Sequence, residues 1–247
     1  MTNITTLQPH PTTERLAEAA RYALLRRLAP AIRHDMAGAL QPISMVAVLL
    51  EKRLQKPVPD LAVIGKNVHD INTLAREASA VCMQLMSWLA PKQDAPVAIH
   101  DGVQDAISLV ATELSFQGVT LVNDTASAAS AVPVTLPLSV LRGLFMASLL
   151  ALTDTHSGPA TVVLGAAVEA GHTVLSFTRT AAAAEGDHED GHEEGHEEGH
   201  EEAMAATSAP SAYRALDWDD VRALAAVASA TLVLAQGGGR VELWFPH

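Results

Sequence analysis

The residues with the most chemical capacity in this 247-residue chain are a histidine and an acid side by side. They are His34 and Asp35, within Arg33-His34-Asp35-Met36-Ala37-Gly38-Ala39-Leu40-Gln41-Pro42-Ile43. A neutral imidazole can attack phosphorus through one ring nitrogen while the other carries the proton. Asp35 is placed to orient that tautomer or to take up its proton. A second group, His188, His192, His196 and His200, recurs at spacing four in a Gly-His-Glu-Glu repeat. On a helix these four would share a face with adjacent carboxylates, a donor set suited to Zn²⁺, Ni²⁺ or Cu²⁺. Against that stand Gly191, Gly195 and Gly199, each costing about 1 kcal/mol in a helix. The repeated negative charge also favours an expanded chain. A metal site and a low-complexity segment without chemistry both stay open.

The elements that must position His34 follow from periodicity. Thr12-Thr13-Glu14 can start a helix, with a threonine cap and an acid in the first turn. Apolar residues then recur in steps of three or four from Leu16 through Ala20, Leu24, Leu28, Ile32, Met36, Leu40, Ile43, Val46 and Leu50 to Leu54. This is one helical stripe of about ten turns. It keeps its phase across Pro30 and Pro42, which predicts kinks rather than breaks. Lys56-Pro57-Val58-Pro59-Asp60 is a turn, and a second amphipathic helix runs from about Asp60 to Ala90. Two such helices with a short connection form an antiparallel hairpin. A hairpin cannot enclose both apolar stripes alone, so a homodimeric four-helix bundle is expected. His34 lies off the stripe and points out. Ala37, Gly38 and Gln41 around it are small or flexible and leave room for a partner, with Arg33 beside them.

After a polar linker at Pro91 to Pro96, strands and helices alternate. Strands are expected at Val97–Ile99, Gly118–Val122, Val132–Val134, Ala160–Leu164, His172–Thr178, Leu232–Leu234 and Val241–Phe245. Helices are expected at Gly102–Phe116, Leu138–Leu152 and Trp218–Ser229, with a turn over Gly165–Gly171. The fold class is therefore α+β: residues 1–11 as a flexible lead-in, 12–91 as the hairpin, and 97–247 as an α/β sandwich with a low-complexity insert at 181–211.

Composition narrows the function classes. Ten acids and no Lys or Arg lie in residues 185–202, which leaves only −2 of the net charge of −12 on the rest. A nearly neutral body is a poor nucleic-acid binder. The single cysteine, Cys82, forms no internal disulfide, and it reads as a small core filler. No signal peptide and no membrane span are apparent, so the cytoplasm is the expected compartment. Arg26, Arg27 and Arg33 could meet acidic partner surfaces or phosphate, or form a solvated helix face. His69 and Asp70 read as ordinary surface residues.

This order resembles the histidine-kinase core, a dimerisation and phosphotransfer hairpin followed by an ATPase-like domain. The family's histidine box falls on His34, Asp35, Met36, Leu40 and Ile43, but its proline position holds Ala39. Its polar residue four beyond the histidine is Gly38, whose lack of a side chain argues against phosphatase activity. The segment Val140 to Ala151 is similar to the asparagine box, with the two asparagine positions at Gly143 and Ala147, and alanine offers no oxygen to Mg²⁺. After Val174–Phe177 the family's Asp-x-Gly-x-Gly is replaced by Thr178-Arg179-Thr180 and alanines, and the acidic repeat stands where the glycine-rich lid would be. Gly237-Gly238-Gly239-Arg240-Val241-Glu242-Leu243-Trp244-Phe245-Pro246 is similar to the family's terminal hairpin.

The resemblance thus implies a degenerate ATPase-like domain and a histidine phosphotransferase. Such a protein relays phosphate through His34, with Asp35 in support and no ATP. Its partners are response-regulator receiver domains, which supply their own Mg²⁺, and an upstream hybrid kinase. The alternatives are an active kinase core with a divergent ATP site and a receiver-binding pseudokinase scaffold.

Overall fold

A computed structural model describes residues 11–89, 94–126, 134–156, 158–182, 214–235 and 237–246. The histidines at 188, 192, 196 and 200, the lead-in at 1–10 and most of the 181–211 insert lie outside these residues. The described chain is α+β.

Helix α1 spans Pro11–Leu54 and contains Pro30 and Pro42 without a break. Each proline removes one backbone donor, and the rest of this long ladder carries the helix through. A turn follows, and Asp60 opens α2, Leu61–Leu89, by accepting hydrogen bonds from the Ala62 and Val63 amides. The two helices form the expected hairpin, and near its tip Arg53 donates to Asn67 Oδ1 at 2.7 Å.

Beyond the hairpin come β1 (Pro96–Ala98), α3 (Ile99–Phe116), β2 (Val119–Asn123) and β3 (Thr135–Pro137). Helix α4 (Leu138–Val140) leads through a π-helical turn at Leu141–Phe145 into α5 (Met146–Asp154). Then follow β4 (Ala160–Glu169), β5 (His172–Ala181), α6 (Trp218–Val227), β6 (Thr231–Leu234) and β7 (Arg240–Pro246). Five strands form one mixed sheet in the order β2-β4-β5-β7-β6, with β2 and β4 parallel and the other neighbours antiparallel. Alternation along the strands sends one face inward. Leu164, Phe177 and Val241 sit in register across β4, β5 and β7, all buried. The Phe145 ring packs on Phe177 at 5.0 Å between centroids, so the π-helical turn seats directly on that row.

Helix α6 starts on a reciprocal cap. Asp217 accepts from the Asp219 and Asp220 amides, and Asp220 accepts from the Asp217 amide. Asp220 is buried, and Arg214 neutralises it. The hydrogen bond to Asp220 is the main reason the Arg214 pKa is raised.

Several expectations need correction. The strand expected at Val132–Val134 is absent at its described residue, Val134; Thr135–Pro137 is extended instead and pairs with β1. The turn expected over Gly165–Gly171 is confined to Ala170 and Gly171. Both residues adopt positive φ, and Gly165 is paired opposite Ser176 inside the strands. Glycine count misleads here, because Gly165 serves a close cross-strand approach and not a turn: an added Cβ would lie 2.7 Å from Ser176 Oγ, which would have to rotate away. The helix expected at Leu138–Leu152 carries the unforeseen π-helical turn. The apolar stripe of α1 does not serve one purpose. Ala17, Ala20, Leu24 and Leu28 are buried in the same cluster as the sheet and its helices, whereas Leu16, Met36, Leu40 and Leu54 are exposed.

Candidate functional site

His34 stands near the middle of α1 with its side chain 67% exposed. Its Nδ1 lies 3.3 Å from Asp35 Oδ1, a distance at which Nδ1–H can donate to the carboxylate. In that tautomer Nε2 keeps its lone pair. Helical geometry, about 100° per residue, places Arg27, Gly38, Gln41 and Met45 on the same side of α1 as His34. Gly38, Gln41 and Met45 are exposed, and an added Cβ at Gly38 would meet nothing within 4 Å. Ala37 and Arg33 are exposed as well, and at about 100° per residue they fall on the other side of His34 from Ala31 and Gly38.

The imidazole does not stand on an isolated hairpin. Helix α3 runs antiparallel along this side of α1, and His34 and Asp35 line two adjoining clefts between the helices. One, of about 460 Å³, lies toward Gly38 and Ala39 and is closed on the far side by Gln84, Asp105 and Ser108. The other, of about 180 Å³, lies toward Pro30 and Ala31, opposite Leu109, Thr112 and Phe116. Together they form a slot with the imidazole at its middle. Phe116 at its mouth is 87% exposed, while Phe145, Phe177 and Phe245 are buried.

Polar bonds close the slot at both ends. At one, the Arg27 guanidinium donates to Asp154 through Nε (2.8 Å) and Nη2 (2.9 Å), and through Nη1 to Glu113. These three side chains are three-quarters or more buried. Burial alone would lower the Arg27 pKa; the hydrogen bonds and charges of Asp154 and then Glu113 outweigh it, and the pKa is raised. The stabilisation tied to this charge is therefore complete below the ordinary arginine value and is lost only as pH rises through the still higher folded one. Arg27 is thus an internal ion-pair residue, which corrects both readings left open for it, a contact for partners or phosphate and a solvated helix face. Arg26 instead lies 5.9 Å over the Tyr22 ring. At the other end, Asp105 accepts from Gln84 on α2 (2.9 Å) and from Arg142 on the π-helical turn (3.1 Å), and Arg142 also donates to Ser87 (2.8 Å).

The positions aligned with the asparagine box lie in a different environment. Ala147 is fully buried between Met146 and Ser148, and Ser148 donates to the Leu144 carbonyl. No side-chain oxygen is offered at Gly143 or Ala147. Among the described residues, no three His, Cys, Asp or Glu side chains converge as a metal cluster. Among the same residues, no helix is long and apolar enough to cross a membrane.

Of the residues singled out in the sequence, His34, Asp35 and Gly38 line the slot, which the sequence did not suggest. Gln84, Asp105, Glu113 and Phe116 were not singled out, and they belong to elements remote in sequence. No local signal marks them, because acids and amides at these spacings are ordinary on a solvated helix face.

No family model and no curated relative matches the sequence. Solved structures similar to the chain include the histidine kinase AdeS of Acinetobacter baumannii, at 12% identity and TM-score 0.39, covering 83% of this chain and 96% of that one. The histidine kinase domain of a blue-light-activated kinase from Erythrobacter litoralis is similar at 13% identity and TM-score 0.38, covering 90% and 94%. A bacterial phosphotransferase is similar at 14% identity and TM-score 0.33, also covering 90% and 94%. At these identities and scores, the chemistry has to be argued from this chain's own residues.

Proposed function

We propose that this chain is a phosphorelay histidine phosphotransferase that carries a phosphoryl group on His34 between receiver-domain aspartates, without ATP. The observation that carries the reading is the exposed imidazole whose Nδ1 faces Asp35 and whose Nε2 makes no hydrogen bond among the described residues. In the forward step, Nε2 attacks the phosphorus of an aspartyl phosphate. The N–P bond forms, the P–O bond to the aspartate breaks, and the carboxylate leaves with the electron pair. The Nδ1 proton stays in place, and Asp35 stabilises the positive charge on the ring. The reverse step loads a second receiver. Charge on the transferred group is neutralised by the receiver's Mg²⁺, so this chain supplies position more than electrophilic help.

Two further features support the reading. The exposed residues Ala37, Gln41 and Met45 extend from His34 along α1 as an open surface that a partner can cover. The buried, oxygen-free Ala147 disfavours a kinase with a functioning Mg-ATP site. The relay places residues 12–91 as the phosphotransfer hairpin and 97–247 as a degenerate ATPase-like unit. Its partners would be receiver domains and an upstream hybrid kinase in the cytoplasm. The exposed stripes of Met36, Leu40 and Leu54 on α1 and of Leu61, Val68 and Met86 on α2 each lie within a narrow angular sector. They offer a second copy the face needed for a homodimeric four-helix bundle.

The test is incubation of the full chain with a receiver domain phosphorylated by acetyl phosphate. Radiolabel should move to the wild-type chain in an acid-labile form, and His34→Ala should abolish uptake. Uptake by His34→Ala at the wild-type level sinks the proposal. Binding of Mg-ATP in calorimetry would instead favour the kinase reading, and receiver binding without phosphoryl uptake the scaffold reading.

A further inference from the structure

The bonds that close the slot have no role in the phosphoryl step itself. Arg27 lies seven residues before His34, which is about two turns, or about 10 Å along the same side of α1. Its partners come from two other elements, Glu113 on α3 and Asp154 at the end of α5. Asp105, about 12 Å back along α3 from Glu113, is held by Gln84 and Arg142. Helix α3 is thus pinned on both sides of the stretch Leu109–Thr112 that faces the imidazole.

The apolar contacts leave a job for these bonds. The buried α1 residues Ala17, Ala20, Leu24 and Leu28 pack in a row with a cluster that includes α6. Alanine and leucine along one line set where the α/β layers sit, but dispersion contacts of this kind are non-directional. A guanidinium that donates to one carboxylate bidentately and to another through its third nitrogen is directional, because its N–H groups are fixed in a plane. It resists rotation of α3 about the apolar row.

We infer that Arg27 is a positioning residue for His34, acting through Glu113 and Asp154 to hold α3 at a set distance over the imidazole. The slot that a phosphorylated receiver must enter is then a built feature of the free protein. This rests on the phosphocarrier reading of His34, while the geometric part stands apart from it.

Two routes break the tether from opposite sides. Arg27→Met removes the charge and keeps a long apolar side chain. The double variant Glu113→Gln with Asp154→Asn removes both negative charges, leaves only neutral amide oxygens as acceptors, and keeps Arg27 in place. Orientation is read by pulsed electron paramagnetic resonance between spin labels at exposed Ser44 on α1 and Val168 on β4, in a Cys82→Ala background. Phosphoryl transfer from a phosphorylated receiver gives apparent KM and the rate at saturation.

Both variants should broaden the label distance distribution and raise KM about tenfold while the saturated rate stays within about threefold, the pattern of lost docking geometry. Arg27→Lys, which can make only part of the fork, should fall between. An unchanged distance distribution in both variants overturns the inference. So does a broadened distribution with unaltered transfer. Loss of transfer in Arg27→Met with normal transfer in the double variant would mean that Arg27 touches the partner itself, and also overturns it. If the wild-type chain takes up no phosphate, the phosphocarrier reading falls, and the distance measurement alone decides whether the tether fixes α3.

Discussion

The two halves of α1 share one helix and one apolar rhythm, yet they face different surroundings. Leu28 is 1% exposed and Leu40 is 49% exposed, though both lie on the same predicted stripe. In the first half Ala17, Ala20, Leu24 and Leu28 are covered by the α/β layers of their own chain, although Leu16 at its start is not. The second half has α2 on one side and no cover on the next. An apolar stripe states that something must cover it, and the same stripe can be covered by two different surfaces in succession. His34 sits where one surface gives way to the other, with α3 on one flank and open helix beyond.

That contrast can be broken by substitution. Leu28→Ala should have the largest effect, about 3 kcal/mol of lost stability from the cavity it leaves, at any protein concentration. Chemical denaturation checks this. Leu40→Asp with Val68→Asp should leave the α/β fold intact but shift the chain toward monomer in analytical ultracentrifugation. If self-association is unchanged, the uncovered stripe is not the dimer face. Leu40→Ala in dilute solution should cost less than about 1 kcal/mol, because half of that side chain is already in water. The smallest effect, of opposite sign, belongs to Gly38→Ala. An added Cβ there meets nothing, so helix propensity should raise stability by up to about 1 kcal/mol, seen as a higher Tm.

Much of the fold was legible from the chain. The hairpin, the turn at Lys56–Asp60, the helix near Trp218 and most strands announced themselves through periodicity, prolines and caps. The misses share a cause. The extended Thr135–Pro137, the paired Gly165 and the π-helical turn each depend on what lies across from them. The candidate site divides the same way. His34, Asp35 and Gly38 stood out in the sequence because they fall within about one helical turn of one another. The opposite wall was not, because Asp105, Glu113 and Asp154 look like any solvated acids until α3 and α5 are brought to α1.

The sequence by itself determined a long amphipathic helix with an outward histidine beside an acid, since both follow from local spacing at 3.6 residues per turn. Only the tertiary structure decided that Leu28 is covered by its own chain while Leu40 is not, and that Arg27 is an internal ion-pair residue instead of an exposed cation. Burial and ion pairing are properties of the surface brought opposite a residue, and elements far apart in the chain supply that surface.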